Sequence, residues 1–199
     1  MMTLAALWHM RWVRRLPPLA DSPVRARCSV VVAARDEEAR IEGTLRHLLA
    51  QRGIEVEIIV VDDRSTDGTG EILRRLAEED ARVQVRRVDA LPEGWLGKCH
   101  ACHIGASTAT GDWILFTDAD CWLKPDVIAR AVQVAEGDAA DQVTMTPGTV
   151  VESLGARAWH LLFLTSALSW LAGVNRESPR TYLGVGIHRQ RCGAACVRI

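Results

Sequence analysis

Apolar and polar positions alternate between two rhythms along this chain. Residues 28–34 (Cys-Ser-Val-Val-Val-Ala-Ala) form a run of small and apolar residues, the pattern of a strand buried on both faces. Asp36-Glu37-Glu38 then opens a predicted helix, since carboxylates favour a first turn. Ile41, Leu45, Leu48 and Leu49 give it an apolar stripe, and Gly53 closes it. A second strand is expected over 55–61. A second helix follows it, opened by Asp67-Gly68-Thr69 and striped by Ile72, Leu73 and Leu76. Residues 82–88 read as a third strand. Short links in a β-α-β-α-β order call for a parallel, doubly wound sheet. Beyond a loop marked by Pro92, Gly94 and Gly97, the pattern predicts a helix of small residues over 98–109 and a strand over 112–117. It then gives a helix from Pro125 to about 135 and a strand over 142–146. Residues 158–174 carry no charge, yet are too short for a span of roughly 20 apolar residues. They read as a core or membrane-docking helix, and residues 182–187 as a further strand.

At 199 residues, 48% hydrophobic and 25% charged, the chain is long enough for one domain with a real core. A net charge of −1 provides no global field for nucleic acid. The cations are 22 arginines and two lysines, Lys98 and Lys124, a skew read as genome composition. Residues 1–26 read as a basic leader. Within it, Trp8 and Trp12 beside Arg11, Arg14 and Arg15 suit contact with an anionic membrane surface. The apolar part of that leader is too short for a signal core, and six cysteines in a sizeable core suit a reducing compartment. The expected location is therefore cytoplasmic, with the basic leader suited to association with the inner face of the cell membrane. Cys99-X-X-Cys102-His103 formally matches the haem-attachment pattern. With Cys192 and Cys196 it also offers a zinc-knuckle alternative.

The chemistry gathers where apolar runs end. Asp118 and Asp120 follow the strand over 112–117, and carboxylates one residue apart there can both reach one hard divalent cation. Such a cation can hold a diphosphate. Asp62 and Asp63 follow the second strand. One could accept hydrogen bonds from a nucleobase or ribose while the other supports the loop or the metal shell. Lys98 follows Gly97 at a predicted helix start, where free N–H groups and an ammonium favour phosphate. Ligands of open α/β sheets bind beyond the carboxyl ends of the strands, and all these segments reach that rim. Asp36 and Asp67 have helix capping as their plain alternative.

Val-Val-Ala-Ala-Arg-Asp-Glu-Glu (31–38), Val-Asp-Asp-Arg-Ser-Thr-Asp-Gly-Thr (61–69), Gly-Trp-Leu-Gly-Lys-Cys-His-Ala (94–101) and Thr-Asp-Ala-Asp (117–120) together resemble a family 2 glycosyltransferase of the GT-A fold. The Gly-Trp-X-Gly-Lys element is similar to the branch that glycosylates lipid-like acceptors, such as hopanoid-associated and carotenoid glycosyltransferases. The resemblance implies a Rossmann-like, mostly parallel α/β sheet with helices on both faces, and a nucleotide-diphosphate sugar donor. It implies a nucleotide-sugar-binding core over 27–150, with Ala33, Arg35, Glu37 and Asp63 lining the base and ribose pocket and Lys98 near the phosphates. Asp118 and Asp120 would serve the ribose and a Mg²⁺ or Mn²⁺ on the diphosphate. The implied reaction inverts the anomeric carbon and needs a separate carboxylate base. The chain departs from the family here: its last acidic residue is Glu177, and no Gln-X-X-Arg-Trp follows. Residues 151–199 thus read as an incomplete acceptor-side region of a truncated or frame-shifted enzyme, with the general base missing. A binding fragment without turnover is the alternative. A nucleotidyltransferase would need a Gly-rich loop after the first strand, which Ala33-Ala34-Arg35-Asp36 does not supply.

Overall fold

The computed structural model describes residues 15–21, 24–145, 153, 155 and 185–190. Six strands form one sheet in the order β3-β2-β1-β4-β6-β5. They are β1 (Arg27–Ala34), β2 (Glu55–Asp63), β3 (Val83–Val88), β4 (Trp113–Asp118), β5 (Gln142–Met145) and β6 (Val185–Arg189). The helices are α1 (Ile41–Leu49), α2 (Thr69–Glu79), α3 (Gly97–Thr108) and α4 (Val127–Gly137). β1 to β4 are mutually parallel, and β6 inserts antiparallel between β4 and β5. The sheet is therefore mostly parallel, as the short-link pattern demanded.

Strand alternation explains the continuous apolar runs. Val31, Ile59 and Val61 pack with Ala101 of α3, while Val30, Val32, Ile58 and Val60 are equally buried on the other face. Neighbouring aspartates reveal which helix covers which face. A Cβ on Gly70 of α2 would lie 3.2 Å from Asp62 Oδ2, and one on Gly97 of α3 would lie 2.5 Å from Asp63 Oδ2. Consecutive strand residues point to opposite faces, so α2 and α3 begin on opposite sides of the sheet. Gly105 of α3 sits directly over Val31, where any Cβ would overlap Val31 Cγ1. The helix of small residues thus serves close helix–sheet packing.

Several boundaries depart from the sequence reading. β2 does not stop at Val61. It continues through Asp62 and Asp63, which pair with Ala34 of β1 and with Arg87 and Val88 of β3. α1 opens at Ile41 and not at Asp36, whose φ of 54° is left-handed and cannot begin a helix. Residues 17–20, expected within the leader, are tied to α4. Arg130 Nε donates to Pro17 O at 2.6 Å, and the Ala20 N–H donates to Gln133 Oε1 at 2.8 Å. Of the strand expected over 182–187, residues 185–187 fall in β6, which runs on to Arg189 in the same sheet as β1 to β4, and 182–184 lie outside the described residues. The tryptophan-bearing leader segment, residues 158–174 and Cys192–Cys196 lie outside the described residues. Among the described residues, no helix is long and apolar enough to cross a membrane.

A buried polar cluster braces the amino-terminal edge. Glu57, 2% exposed, accepts hydrogen bonds from the Ser29 hydroxyl, from Thr110 N at 2.7 Å and from Thr110 Oγ1 at 2.9 Å. Arg27 pairs with its other oxygen at 3.3 Å. Burial works to raise the Glu57 carboxyl, but these bonds and the Arg27 charge outweigh it and hold it below its ordinary value.

Candidate functional site

The carboxyl ends of β1, β2 and β4 and the start of α3 enclose one cleft of about 470 Å³, lined by ten residues. Small-molecule clefts run from about 300 to 1,000 Å³, so a nucleotide fits by size. β1 contributes Ala33 and Ala34 and its following loop Arg35 and Glu37, while β2 contributes Asp63. α3 adds Gly97 and Lys98, and the end of β4 adds Asp118, Ala119 and Asp120. Seven of the eight residues singled out by sequence therefore meet in one place. Asp62 does not line the cleft. Its side chain points to the α2 face, where Oδ1 accepts the Ser65 N–H at 3.1 Å. It is a loop support, the second of the two roles the doublet allowed.

Asp63 is buried at the cleft wall and held by the neighbouring Arg64 through two bonds, 2.8 Å from Nε and 3.0 Å from Nη2. Those bonds from Arg64 keep its carboxyl below the usual range. Arg64 itself has φ 60°, a strained setting for a long side chain, and the Asp63–Arg64 pair leaves no room for a Cβ at Gly97. The loops after β1 and β2 are laced together by Thr66 N–H donating to Asp36 Oδ1 (2.8 Å), Glu37 N–H to Thr69 Oγ1 (2.8 Å) and Gly68 N–H to Glu38 Oε2 (2.8 Å). Asp36 is thus a loop clasp and no helix cap. Asp67 Oδ1 does accept the Thr69 N–H at the start of α2, at 3.0 Å.

On the β4 side, Lys98 forms an ion pair with Asp118 Oδ1. Thr44 of α1 donates to Ala119 O at 2.6 Å and pins the turn between the two aspartates. No sequence signal marked Thr44, a lone hydroxyl within a helix, and the tie of Arg64 to Asp63 was equally invisible. Asp118, Asp120 and Cys121 each offer a ligand atom within 4.8 Å of the others. Burial raises the Cys121 thiol, and sulfur is a soft ligand that hard cations disfavour. The two carboxylates are then a hard oxygen set that fits Mg²⁺ or Mn²⁺. Cys99, Cys102 and His103 gather no such set among the described residues. They lie along α3, where burial pushes the Cys102 thiol up to about 11.

Residues 29–196 match the family described as Glycosyl transferase family 2. The chain belongs to that family. It is 32% identical over 126 residues to a 4,4'-diaponeurosporenoate glycosyltransferase of Staphylococcus haemolyticus, covering 63% of this chain and 32% of that one. It is 38% identical over 105 residues to the Staphylococcus aureus (strain USA300) protein of the same name, covering 52% and 27%. The chain thus spans about a third of the length of the curated relatives it matches. A solved mannosyltransferase of Pyrobaculum calidifontis, in complex with GDP-Man and Mn²⁺, superposes with TM-score 0.59 at 30% identity over 73% of this chain and 43% of that one. TarS of S. aureus, solved with UDP-GlcNAc, shares the fold alone: TM-score 0.53, 24% identity, 64% and 37% coverage. The sheet and these neighbours identify the GT-A fold that the family motifs implied.

Proposed function

We propose that the cleft binds a nucleotide-diphosphate sugar and that the protein transfers its sugar, with inversion, to a lipid-like acceptor. The observation that carries this reading is the meeting of Asp63 with Asp118 and Asp120 in one cleft of nucleotide size. Asp63, its lone pairs oriented by Arg64, is suited to accept hydrogen bonds from the base or ribose, with Ala33, Arg35 and Glu37 beside it. Ala33 and Ala34 leave space for a planar ring. Asp118 and Asp120 would hold a divalent cation, which when bound neutralises charge on the leaving diphosphate. The N-terminus of α3 has no side-chain cap, so its free N–H groups and Lys98 favour phosphate.

In the reaction, an acceptor oxygen attacks the anomeric carbon opposite the diphosphate. The bond from that carbon to the diphosphate breaks, its electron pair leaves with the phosphate, and the acceptor proton passes to a base. The named carotenoid glycosyltransferase relatives favour an apolar acceptor. So does Leu96, 73% exposed and next in sequence to the cleft residue Gly97. Calorimetry with UDP-, GDP- and dTDP-sugars in Mn²⁺ tests the reading. A metal-dependent heat with one of them is expected; no binding to any member of the panel, or to the nucleoside diphosphates, would overturn it.

A further inference from the structure

Asp118 faces two claims on one carboxylate. Its Oδ1 accepts the Lys98 ammonium, and the same side chain stands with Asp120 in the oxygen set fit for a hard cation. Lys98 occupies the first turn of α3, directly after Gly97. The positive end of the helix dipole disfavours a cation there, and Asp118 offsets that cost by ion pairing. Lys98, Asp118 and Asp120 all line the cleft, and the lysine side chain is 66% exposed on a flexible stem. It can therefore leave Asp118 without unpacking the core. Diphosphate at the same helix end would offer the ammonium an alternative anion.

Resting on the metal–diphosphate reading above, we propose that Lys98 is a resident stand-in for the divalent cation. It neutralises Asp118 in the donor-free protein, opposes cation binding to that state, and transfers to the phosphates when nucleotide and cation enter together. Two cations on one carboxylate repel each other, so the free protein binds a metal ion weakly. Drawing Lys98 away restores Asp118 as a ligand, so the nucleotide raises cation affinity. By linkage, the cation raises nucleotide affinity by the same factor. The cleft is thereby biased against loading metal alone.

Mn²⁺ titration of the full chain, followed by electron paramagnetic resonance of the free ion, reads this directly. It is run without nucleotide and with UDP or GDP. Lys98→Met removes the charge and keeps the stem; it should bind Mn²⁺ about tenfold tighter than the parent without nucleotide. It should also show a smaller enhancement by the nucleoside diphosphate. Lys98→Arg, which keeps the charge, should retain the parent's weak metal binding and strong coupling. The proposal is overturned if the parent takes up Mn²⁺ with nucleoside diphosphate while Lys98→Met binds Mn²⁺ alone no tighter than the parent does. Failure of parent and variant alike to bind Mn²⁺, even with both nucleotides, would remove the metal reading itself and this inference with it. Circular dichroism of each variant verifies the fold.

Discussion

At the scale of single residues, Asp62 and Asp63 show what a sequence can hold and what it cannot. The doublet lies at the carboxyl rim of the sheet, yet nothing in Val-Asp-Asp-Arg told which carboxylate faces the cleft. That depends on β2 continuing two residues past its apolar run, which the acidic character of those residues concealed. With the register known, the two make different predictions for nucleotide affinity. Asp63→Ala should weaken nucleotide binding by calorimetry about tenfold or more, the loss of a hydrogen bond to a buried charged group, and should also lower the melting temperature because Arg64 loses both of its bonds. Asp62→Ala should lower the melting temperature, because the Ser65 N–H loses its acceptor, and leave nucleotide affinity near the parent's. Asp120→Ala should abolish the dependence of donor binding on Mn²⁺, as equilibrium dialysis would show; unchanged affinity with Mn²⁺ present would contradict the oxygen pair as the cation site.

Among the elements, α3 gives the clearest lesson. Its small residues were legible as a helix, but the Cys-X-X-Cys-His pattern inside it also suggested haem or zinc. The fold accounts for the small residues by contact: Gly105 lies on Val31, and Gly97 makes room for the Asp63–Arg64 pair. Gly105→Ala illustrates the competition. Alanine gains about 1 kcal/mol in helix propensity, while forcing a methyl against a strand costs about 1–3 kcal/mol. Net destabilisation is expected, read as a lower urea midpoint, in a position where a free helix would have been stabilised. The start of α1 was misjudged for a related reason. Asp36-Glu37-Glu38 has the composition of a first helical turn, but the Asp36 and Glu38 side chains are committed to the loop after β2 and Glu37 lines the cleft. Tertiary contacts of that kind leave no periodic trace in sequence.

Over the whole molecule, the parallel half of the sheet was written in apolar runs and short links. The order around β4 was not, because β6 comes from residues 185–189 and runs against its neighbours. The amino-terminal edge depends on the buried Glu57 cluster, which no motif announced. Its depressed carboxyl has a defined consequence. Ionised Glu57 stabilises the fold fully above its ordinary value near 4.5, and that contribution disappears as pH falls below it. Glu57→Gln should therefore show a flatter loss of urea stability between about pH 5 and 3 than the parent. An unchanged slope would mean that the cluster does not discriminate between protonation states.

The position of β6 has a consequence for biosynthesis. β4, with Trp113, Ile114 and Leu115 buried in the finished sheet, keeps one hydrogen-bonding edge bare until residue 189 has left the ribosome. Among the described residues, β5 is joined to the sheet only through β6, so it too must wait. An open, apolar edge strand templates pairing with foreign chains. Nascent polypeptides stalled before residue 185 has left the ribosome should therefore be chaperone clients and self-associate, whereas those stalled after residue 190 has left it should do so less.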